Sequence, residues 1–334
     1  RMEQFVDNFP KEEAHLTGEE IHRRLDQIEK IHTLYSPAKL GLASALACCA
    51  FTFLLGGGPV EMILAFIAAG VGNVIRTKMI KHHFTLFFNI AVSISAACLT
   101  YAICFHLAEI FFHVSALHEA GYICSMLFII PGFPFITSGI DLAKLDLRSG
   151  LERLSYSVII VLVATMFAWI MALLLHFHPQ DFSALNLAVG TKLILRIITS
   201  FCGVFGFSIM FNSSIPMAAT AACIGAVANT LRLELVDYTS TPPAAAAFAG
   251  ALTAGLLASV IKRNNGYPRI SLTVPSIVIM VPGLYLYRAF YNLGIMSLTE
   301  AVLWFSSAIM IIVTLPLGLI FARILTDRTF RYCT

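Results

Sequence analysis

Charged residues are scarce in this chain. Asp, Glu, Lys and Arg make up 12% of its 334 residues, about half of the roughly 25% that soluble proteins carry. Hydrophobic residues reach 58% and the mean hydropathy is +0.82. This balance excludes an ordinary soluble domain, and a net charge of only +3 gives no support for nucleic-acid binding. Apolar runs of about 17–25 residues, the length of a membrane-spanning helix, indicate an all-α polytopic membrane protein.

The chain also lacks the motifs of several enzyme and metal-binding classes. Gly56-Gly57-Gly58 is not followed by the Gly-Lys-Ser/Thr of a phosphate-binding loop, so an ATP-driven pump is not expected. Most of the eight cysteines lie inside apolar runs without metal-ligand spacing, where cysteine behaves as a small hydrophobe. No serine, cysteine or metal constellation predicts a hydrolase. We therefore expect no enzyme activity, no metal and no cofactor.

The sequence predicts about ten membrane spans after a polar N-terminal region. Residues 1–36 are charged rather than apolar, which argues against a cleavable signal peptide. Thr17 and Glu20 form a capping-box pattern that opens an amphipathic helix near 17–35. The predicted spans lie near 38–55, 60–76, 84–107, 120–140, 154–177, 193–211, 215–233, 242–261, 270–291 and 301–324.

The distribution of basic residues predicts the orientation. With the N-terminus inside, the inner segments hold 18 Lys and Arg residues and the outer segments hold four. Because cytoplasmic loops favour Lys and Arg, this asymmetry predicts an even number of spans and two cytoplasmic termini.

Two pairs of similar segments predict a tandem repeat. Residues 69–76 (AGVGNVIR) resemble residues 225–232 (GAVANTLR), and residues 129–133 (IIPGF) resemble residues 280–284 (MVPGL), at separations of 156 and 151 residues. A five-span unit that is duplicated in tandem must enter the membrane from the opposite side the second time. This is the inverted-topology architecture of many secondary transporters. We accordingly divide the chain into an N-terminal helix region 1–36 and membrane repeats 37–180 and 181–334.

The fourth span of each repeat contains a proline–glycine pair. Pro131-Gly132 is followed by Pro134 in the first repeat, and Pro282-Gly283 occurs in the second. Proline removes a backbone donor and interrupts a helix. The half-helix that begins after the interruption presents free N–H groups and a positive dipole end, which would stabilise a carboxylate. The alternative is that these prolines only kink the helices and shape their packing.

Four polar residues within or near the spans are further candidates. Asn73 and Asn229 occupy equivalent positions of the repeat, while Asp141 and Glu61 lie close to span ends. Ionisable groups in the membrane are costly and therefore suggest function. Hydrogen bonding between helices would explain the asparagines equally well, and solvation at helix ends would explain the carboxylates.

The motif around the first proline–glycine pair resembles a known family. The residues Pro131-Gly132-Phe133-Pro134, Gly139-Ile140-Asp141-Leu142 and the run Asp146-Leu147-Arg148-Ser149-Gly150-Leu151-Glu152-Arg153 are similar to the motif of the threonine/serine exporter family. Phe53-Leu54-Leu55-Gly56-Gly57 and Val281-Pro282-Gly283 add to this resemblance, which covers residues 17–325 in the fused two-domain form. The resemblance implies export of threonine and serine from the bacterial cytoplasm, driven by protons; some members are linked to small dicarboxylates.

The resulting hypothesis is a proton-coupled exporter of the bacterial inner membrane that works by alternating access. Its expected partners are a small-molecule substrate, protons and membrane lipid; a homo-oligomer is left open, and no nucleic acid is expected. A succinate-type exporter, a channel, an intramembrane enzyme and a structural subunit are the alternatives. The residues predicted to contact the substrate are Gly132, Phe133, Phe135, Gly283, Leu284, Tyr285, Asn73 and Asn229. The helix breaks are Pro131, Pro134 and Pro282, and proton coupling is assigned to Asp141 and Glu61.

Overall fold

The computed structural model describes residues 16–331, apart from 30–33, 114–115, 179–180, 183–184, 186 and 266. Within these ranges it contains thirteen α-helices and one 3-10 segment, and no strand is assigned. The predicted N-terminal region 1–36 is described only in part, because residues 1–15 and 30–33 lie outside the described residues. Its described part contains α1, Gly18–Glu29.

Helix α1 begins with the predicted capping box. The backbone N–H and the hydroxyl of Thr17 each donate to Glu20 Oε2 at 3.0 Å, and Glu20 N–H donates back to Thr17 Oγ1 at 3.4 Å. These hydrogen bonds hold the pKa of Glu20 below its ordinary value, because they stabilise the charged carboxylate.

The remaining helices form an apolar bundle. They are α2 Pro37–Leu54, α3 Pro59–Lys81, α4 Leu86–Phe112, the 3-10 segment Ala116–Ile129, α5 Gly132–Ala143, α6 Leu147–Leu175, α7 Val189–Met210, α8 Ile215–Thr239, α9 Pro243–Asn265, α10 Arg269–Val278, α11 Gly283–Gly294, α12 Leu298–Thr326 and α13 Arg328–Arg331.

The bundle supports a multi-pass membrane protein. In the described part of the chain, eight helices are long and apolar enough to cross a membrane, and two bent helix pairs bring the number to ten if each pair forms one span. Several helices extend beyond the predicted spans: α3 and α8 end at Lys81 and Thr239 rather than near residues 76 and 233. Hydropathy detects the apolar part of a helix, whereas the hydrogen-bonded turns continue into polar sequence.

The interior of the bundle is built from small residues. Alanine dominates the buried helix contacts, while large side chains such as Ile110, Leu174 and Met310 are more than half exposed. Gly206 on α7 brings this helix against α2, and a Cβ added there would collide with the carbonyl oxygen of Ala43. Small residues permit such close backbone approach in membrane bundles.

Long helices that are joined by a short loop pack together as antiparallel neighbours, as α2 does with α3 and α7 with α8. The starts of α2, α6 and α10 therefore share one end of the bundle with the ends of α3, α5 and α12. We call this end the basic end, because Lys78, Lys81, Lys144, Arg148 and Arg323 lie there. The ends of α2 and α8 and the starts of α9 and α12 lie at the opposite end.

Candidate functional site

Two interrupted helices cross the centre of the bundle. The first break (residues 130–131) separates the 3-10 segment from α5 with a bend of 55°, and the second break (residues 279–282) separates α10 from α11 with a bend of 48°. Pro131 has φ −81° and ψ 61°, and Pro282 has φ −82° and ψ 56°. The following glycine N–H donates to the carbonyl two residues back, Gly132 to Ile130 at 2.8 Å and Gly283 to Val281 at 2.9 Å. Both breaks are therefore inverse γ-turns.

The two helices that begin after the breaks differ in their free amides. The first i−4 bond of α5 runs from Phe135 N–H to Pro131 O, and that of α11 runs from Leu286 N–H to Pro282 O. Amides ahead of this bond have no partner in their own helix. In α11 they belong to Leu284 and Tyr285, whereas in α5 the position equivalent to Tyr285 is Pro134, which has no N–H. The N-terminus of α11 is therefore the better anion-binding end.

The two breaks pack directly against each other. A Cβ added to Gly132 would lie 3.0 Å from Val278 Cγ2, and a Cβ added to Gly283 would lie 3.0 Å from Leu127 Cδ2. Each glycine therefore admits an apolar side chain from the other interrupted helix. We call this contact the central contact; it lies between two cavities.

The first cavity, about 170 Å³, lies on the side of the central contact nearer the basic end. Its polar lining includes Arg76, late in α3, and Tyr156, early in α6. Arg76 Nη1 donates to the carbonyl oxygen of Phe128 at 3.3 Å, just before the first break. The rings of Phe133 and Phe211 also line the cavity and meet edge to face, with centroids 5.1 Å apart.

The second cavity, about 220 Å³, lies on the side nearer the opposite end. Asn229 and Arg232 line it from α8, and Tyr285 and Arg288 line it from α11. Arg232 Nη1 donates to Asn229 Oδ1 at 3.4 Å. The Nε of Arg232 is buried and has no hydrogen-bond partner among the described residues, so this guanidinium retains a donor for a ligand. The rings of Tyr285 and Trp304 meet edge to face, with their centroids 5.2 Å apart.

Arg288 connects the second cavity to a wider vestibule of about 480 Å³ at the opposite end. Its Nη2 pairs with Asp181 Oδ1 at 2.7 Å, and its guanidinium lies over the ring of Trp304 at 4.8 Å. Arg196 lines the vestibule and pairs with Glu234 at 2.7 Å and Asp237 at 2.6 Å. Arginines in ion pairs therefore line the vestibule, and one of them, Arg288, also lines the second cavity.

Phe51 lies between the two cavities and lines both of them. Its ring meets that of Phe207 edge to face, with centroids 6.4 Å apart. Phe207 follows Phe51 by 156 residues, the same separation that joins Arg76 to Arg232 and Asn73 to Asn229. The contact between α2 and α7 therefore joins two phenylalanines with the same separation as the residues of the two similar segments.

Comparison with known protein families identifies the chain. A sequence profile described as a threonine/serine exporter, ThrE, matches residues 1–176, and a second profile described as Threonine/Serine exporter, ThrE, matches residues 196–325. The chain belongs to the threonine/serine exporter family. The two consecutive matches confirm the fused form that the motifs predict. The exporter family is a transporter family, not an enzyme class. No curated protein and no solved structure matches the chain.

Most of the predicted substrate-contacting residues of this exporter-family chain line the cavities. Gly132 and Phe133, with Pro131 and Pro134, line the first cavity. The residues of the prediction that line the second cavity are Asn229, Pro282, Gly283, Leu284 and Tyr285.

Two predicted contact residues take other positions. Phe135 is buried in a separate apolar cluster with Val161, Leu286 and Ala308. Asn73 Nδ2 donates to the carbonyl oxygen of Leu40 at 2.8 Å, which ties α3 to α2. Neither residue is among those that line the two cavities.

The two candidate proton carriers also lie away from both cavities. Asp141 Oδ2 pairs with Arg153 Nη1 at 2.8 Å near the basic end. Glu61 is 1% exposed and accepts a hydrogen bond from Gly58 N–H at 2.9 Å, which closes the first turn of α3.

The sequence reasoning missed Arg76 and Arg232 as residues that line the two cavities. It placed both at span ends and counted them as loop charges, although each closes one copy of the repeated eight-residue segment. That shared position was the available signal. Because α3 and α8 continue past these arginines, both side chains reach the cavities beside the breaks.

Proposed function

We propose that this chain exports threonine and serine across the bacterial inner membrane by alternating access. The observation that carries the proposal is a pair of cavities on opposite sides of the central contact, each bounded by a helix break and an arginine. The proposal includes two five-span halves of opposite orientation and cytoplasmic termini, supported by the repeated segments and by the basic end of the bundle. The first cavity then faces the cytoplasm and the second faces outward.

In this proposal the substrate carboxylate binds between an arginine and a helix N-terminus. In the second cavity these are Arg232 and the amides of Leu284 and Tyr285. Guanidinium and amide donors stabilise a carboxylate strongly in a site with apolar walls. Asn229 lies beside Arg232 and supplies an amide group for the polar atoms of threonine or serine. In the first cavity, Arg76 and the amide of Phe133 serve the same purpose.

Movement of the two interrupted helices against each other would alternate access. The central contact itself is apolar, because apolar side chains fill the space beside Gly132 and Gly283. The hydroxyls of Tyr122 and Tyr287 share a hydrogen bond between the same two interrupted helices, so their separation would also have to break or preserve this bond. Opening toward the outside also requires that the Arg288–Asp181 pair loosens. Each rearrangement exposes one cavity while the other stays closed.

Proton coupling is assigned to Asp141, with Glu61 as a second carrier. Protonation of Asp141 would remove its charge and break its ion pair with Arg153, which lies in the second turn of α6. Because α5 begins at the first break and contains Asp141, this exchange would reach the central contact through a single short helix.

Export of a small dicarboxylate such as succinate is the second candidate function. Arg232 and Arg288 both line the second cavity, and two cations suit two carboxylates. The pairing of Arg288 with Asp181 favours the amino-acid substrate, since it already neutralises the second cation.

Efflux from proteoliposomes tests the proposal. Vesicles with purified protein would be loaded with labelled threonine, serine or succinate and assayed with and without an imposed pH gradient, next to protein-free vesicles. Saturable release of threonine or serine that the gradient accelerates supports the proposal, and release of succinate alone supports the second candidate. Release that never saturates and ignores the gradient would identify a channel, and no protein-dependent release would refute transport of these solutes.

A further inference from the structure

A basic pocket of about 690 Å³ opens at the basic end, apart from both cavities. Four cations line it: Lys144 at the end of α5, Arg269 at the start of α10, Arg323 late in α12 and Arg328 in α13. Asp327 is the one carboxylate among the described lining residues. The pocket therefore carries an excess of positive charge in a concave surface, which concentrates anions.

The two inner cations are held in place. Arg269 Nη1 donates to Thr326 Oγ1 at 3.1 Å, and its Nη2 donates to the carbonyl oxygen of Gly255 at 3.2 Å. Arg323 pairs with Asp327 at 3.3 Å and lies over the ring of Phe330 at 4.2 Å. Both side chains are half-buried, whereas Lys144 and Arg328 are exposed at the mouth. This arrangement fixes the charges before a ligand arrives.

The lining combines these charges with an apolar wall formed by residues such as Ile140, Ile270, Leu319 and Ile320. The volume of this pocket lies in the range of small-molecule sites and is far larger than the volume of a halide ion. Arginine matches the geometry of phosphate oxygens. An apolar wall below a basic mouth suits a phosphate group that is attached to an apolar chain.

We propose that the basic pocket binds a phosphate-bearing anion, the headgroup of an anionic phospholipid or a soluble phosphate compound. Lys144 ends the helix that follows the first break, and Arg269 begins the helix that precedes the second break. A bound phosphate would therefore bridge the two interrupted helices at the basic end and restrain their relative movement.

The test measures binding to the purified full chain, independently of transport. Short-chain dioctanoyl phosphatidylglycerol, the matching phosphatidylcholine and inorganic phosphate would each be titrated while bound ligand is counted by native mass spectrometry. The variant Lys144→Gln/Arg328→Gln removes two exposed cations from the mouth without touching the hydrogen bonds of Arg269. The matched control, Lys78→Gln/Lys81→Gln, removes two exposed cations from the same end outside the pocket.

We expect phosphatidylglycerol to bind the wild type and the control alike, and to bind the Lys144→Gln/Arg328→Gln variant about tenfold more weakly. Phosphatidylglycerol binding without competition from inorganic phosphate would identify a lipid headgroup as the source. Inorganic phosphate that binds and competes would identify a soluble phosphate. Equal binding of phosphatidylglycerol and phosphatidylcholine, or equal loss in both variants, would overturn the proposal.

Discussion

At the scale of single residues, the two arginines of the similar segments, Arg76 and Arg232, each line one cavity beside a helix break. Arg232 has a buried Nε without a partner among the described residues and lies beside a helix N-terminus. Arg76 already donates a hydrogen bond from Nη1 to the carbonyl oxygen of Phe128. Equivalent side chains thus differ in the donors left for a substrate.

Replacing Arg232 by glutamine removes one of the two arginine cations that line the second cavity and keeps a polar side chain there. A hydrogen bond between charged groups contributes about 1.5–3 kcal/mol, so we expect roughly a tenfold to hundredfold loss of substrate affinity. Saturation kinetics of efflux in proteoliposomes measures this loss. Arg148→Gln is the matched control, because that arginine is exposed and pairs only at the surface with Glu152. A wild-type affinity in Arg232→Gln would remove this residue from the site.

Replacing Asp141 by asparagine keeps the side-chain shape but removes a carboxylate that can exchange a proton. We expect efflux to continue while its acceleration by a pH gradient disappears, because the ion pair with Arg153 can no longer respond to protons. The ratio of efflux rates with and without the gradient is the measurement. Glu152→Gln, at an exposed neighbouring carboxylate, should keep the wild-type ratio. A wild-type ratio in Asp141→Asn would rule out the coupling role.

At the scale of elements, the helix contacts depend on glycine and the breaks depend on proline. α7 approaches α2 at Gly206, and each break is an inverse γ-turn whose proline fixes φ near the required value. The breaks then differ through one residue. Pro134 has no backbone N–H, whereas Tyr285 at the corresponding position of α11 has a free one. Local chemistry thus decides both where the helices stop and how well each N-terminus binds anions.

Gly206→Ala should loosen the contact between α2 and α7. The added Cβ meets backbone, which cannot rotate away, so we expect a cost of about 1–3 kcal/mol and a lower Tm in detergent. Gly190→Ala in the same helix is the control, since nothing lies within 4 Å of its added Cβ. Equal Tm values for the two variants would contradict the close approach of the helices.

Pro134→Ala should give α5 the second free amide that α11 already has. One additional hydrogen bond to a carboxylate is worth about 1 kcal/mol, so we expect threonine to bind the first cavity about fivefold more tightly. Isothermal titration of the purified variant measures the change. Pro242→Ala, at an exposed proline just before α9, should leave the affinity unchanged. Weaker binding in Pro134→Ala would show that this proline acts through the shape of the break instead.

At the scale of the whole molecule, the interrupted helices of the two halves meet at the central contact. Val278 and Val281 fill the space beside Gly132, and Leu127 and Ile130 fill the space beside Gly283. The contact separates two cavities that lie toward opposite ends of the bundle. Transport by alternating access therefore requires that these residues move apart.

A disulfide across the central contact should stop transport. The Cβ of Val281 lies 3.5 Å from the position of a Cβ added to Gly132, within the range of about 3.5–4.5 Å that disulfides require. In a chain whose eight native cysteines are replaced, Gly132→Cys/Val281→Cys should lose efflux on oxidation and regain it with dithiothreitol. The two single variants are the controls, and their efflux should not change when the oxidant is added. Unchanged efflux after the crosslink is verified by mass spectrometry would refute movement at this contact.

The sequence by itself determined the helical class and the family, and it located the two proline–glycine pairs. These follow from local properties: apolar composition favours membrane-spanning helices, and proline removes a backbone donor that an uninterrupted helix needs. The same local reasoning ended α3 and α8 too early, because a hydropathy window does not follow hydrogen-bonded turns into polar sequence. Arg76 and Arg232 were therefore assigned to loops.

Only the tertiary structure decided which polar residues reach a cavity. Asn73 and Asn229 occupy equivalent positions, yet Asn73 bonds the carbonyl of Leu40, whereas Asn229 bonds Ser200 Oγ at 2.9 Å and lines the second cavity. Their different environments are set by the neighbouring helix, α2 in one case and α7 in the other. The contacts that distinguish the two side chains, Asn73 with Leu40 and Asn229 with Ser200, join residues 33 and 29 positions apart, and no local pattern contains that information.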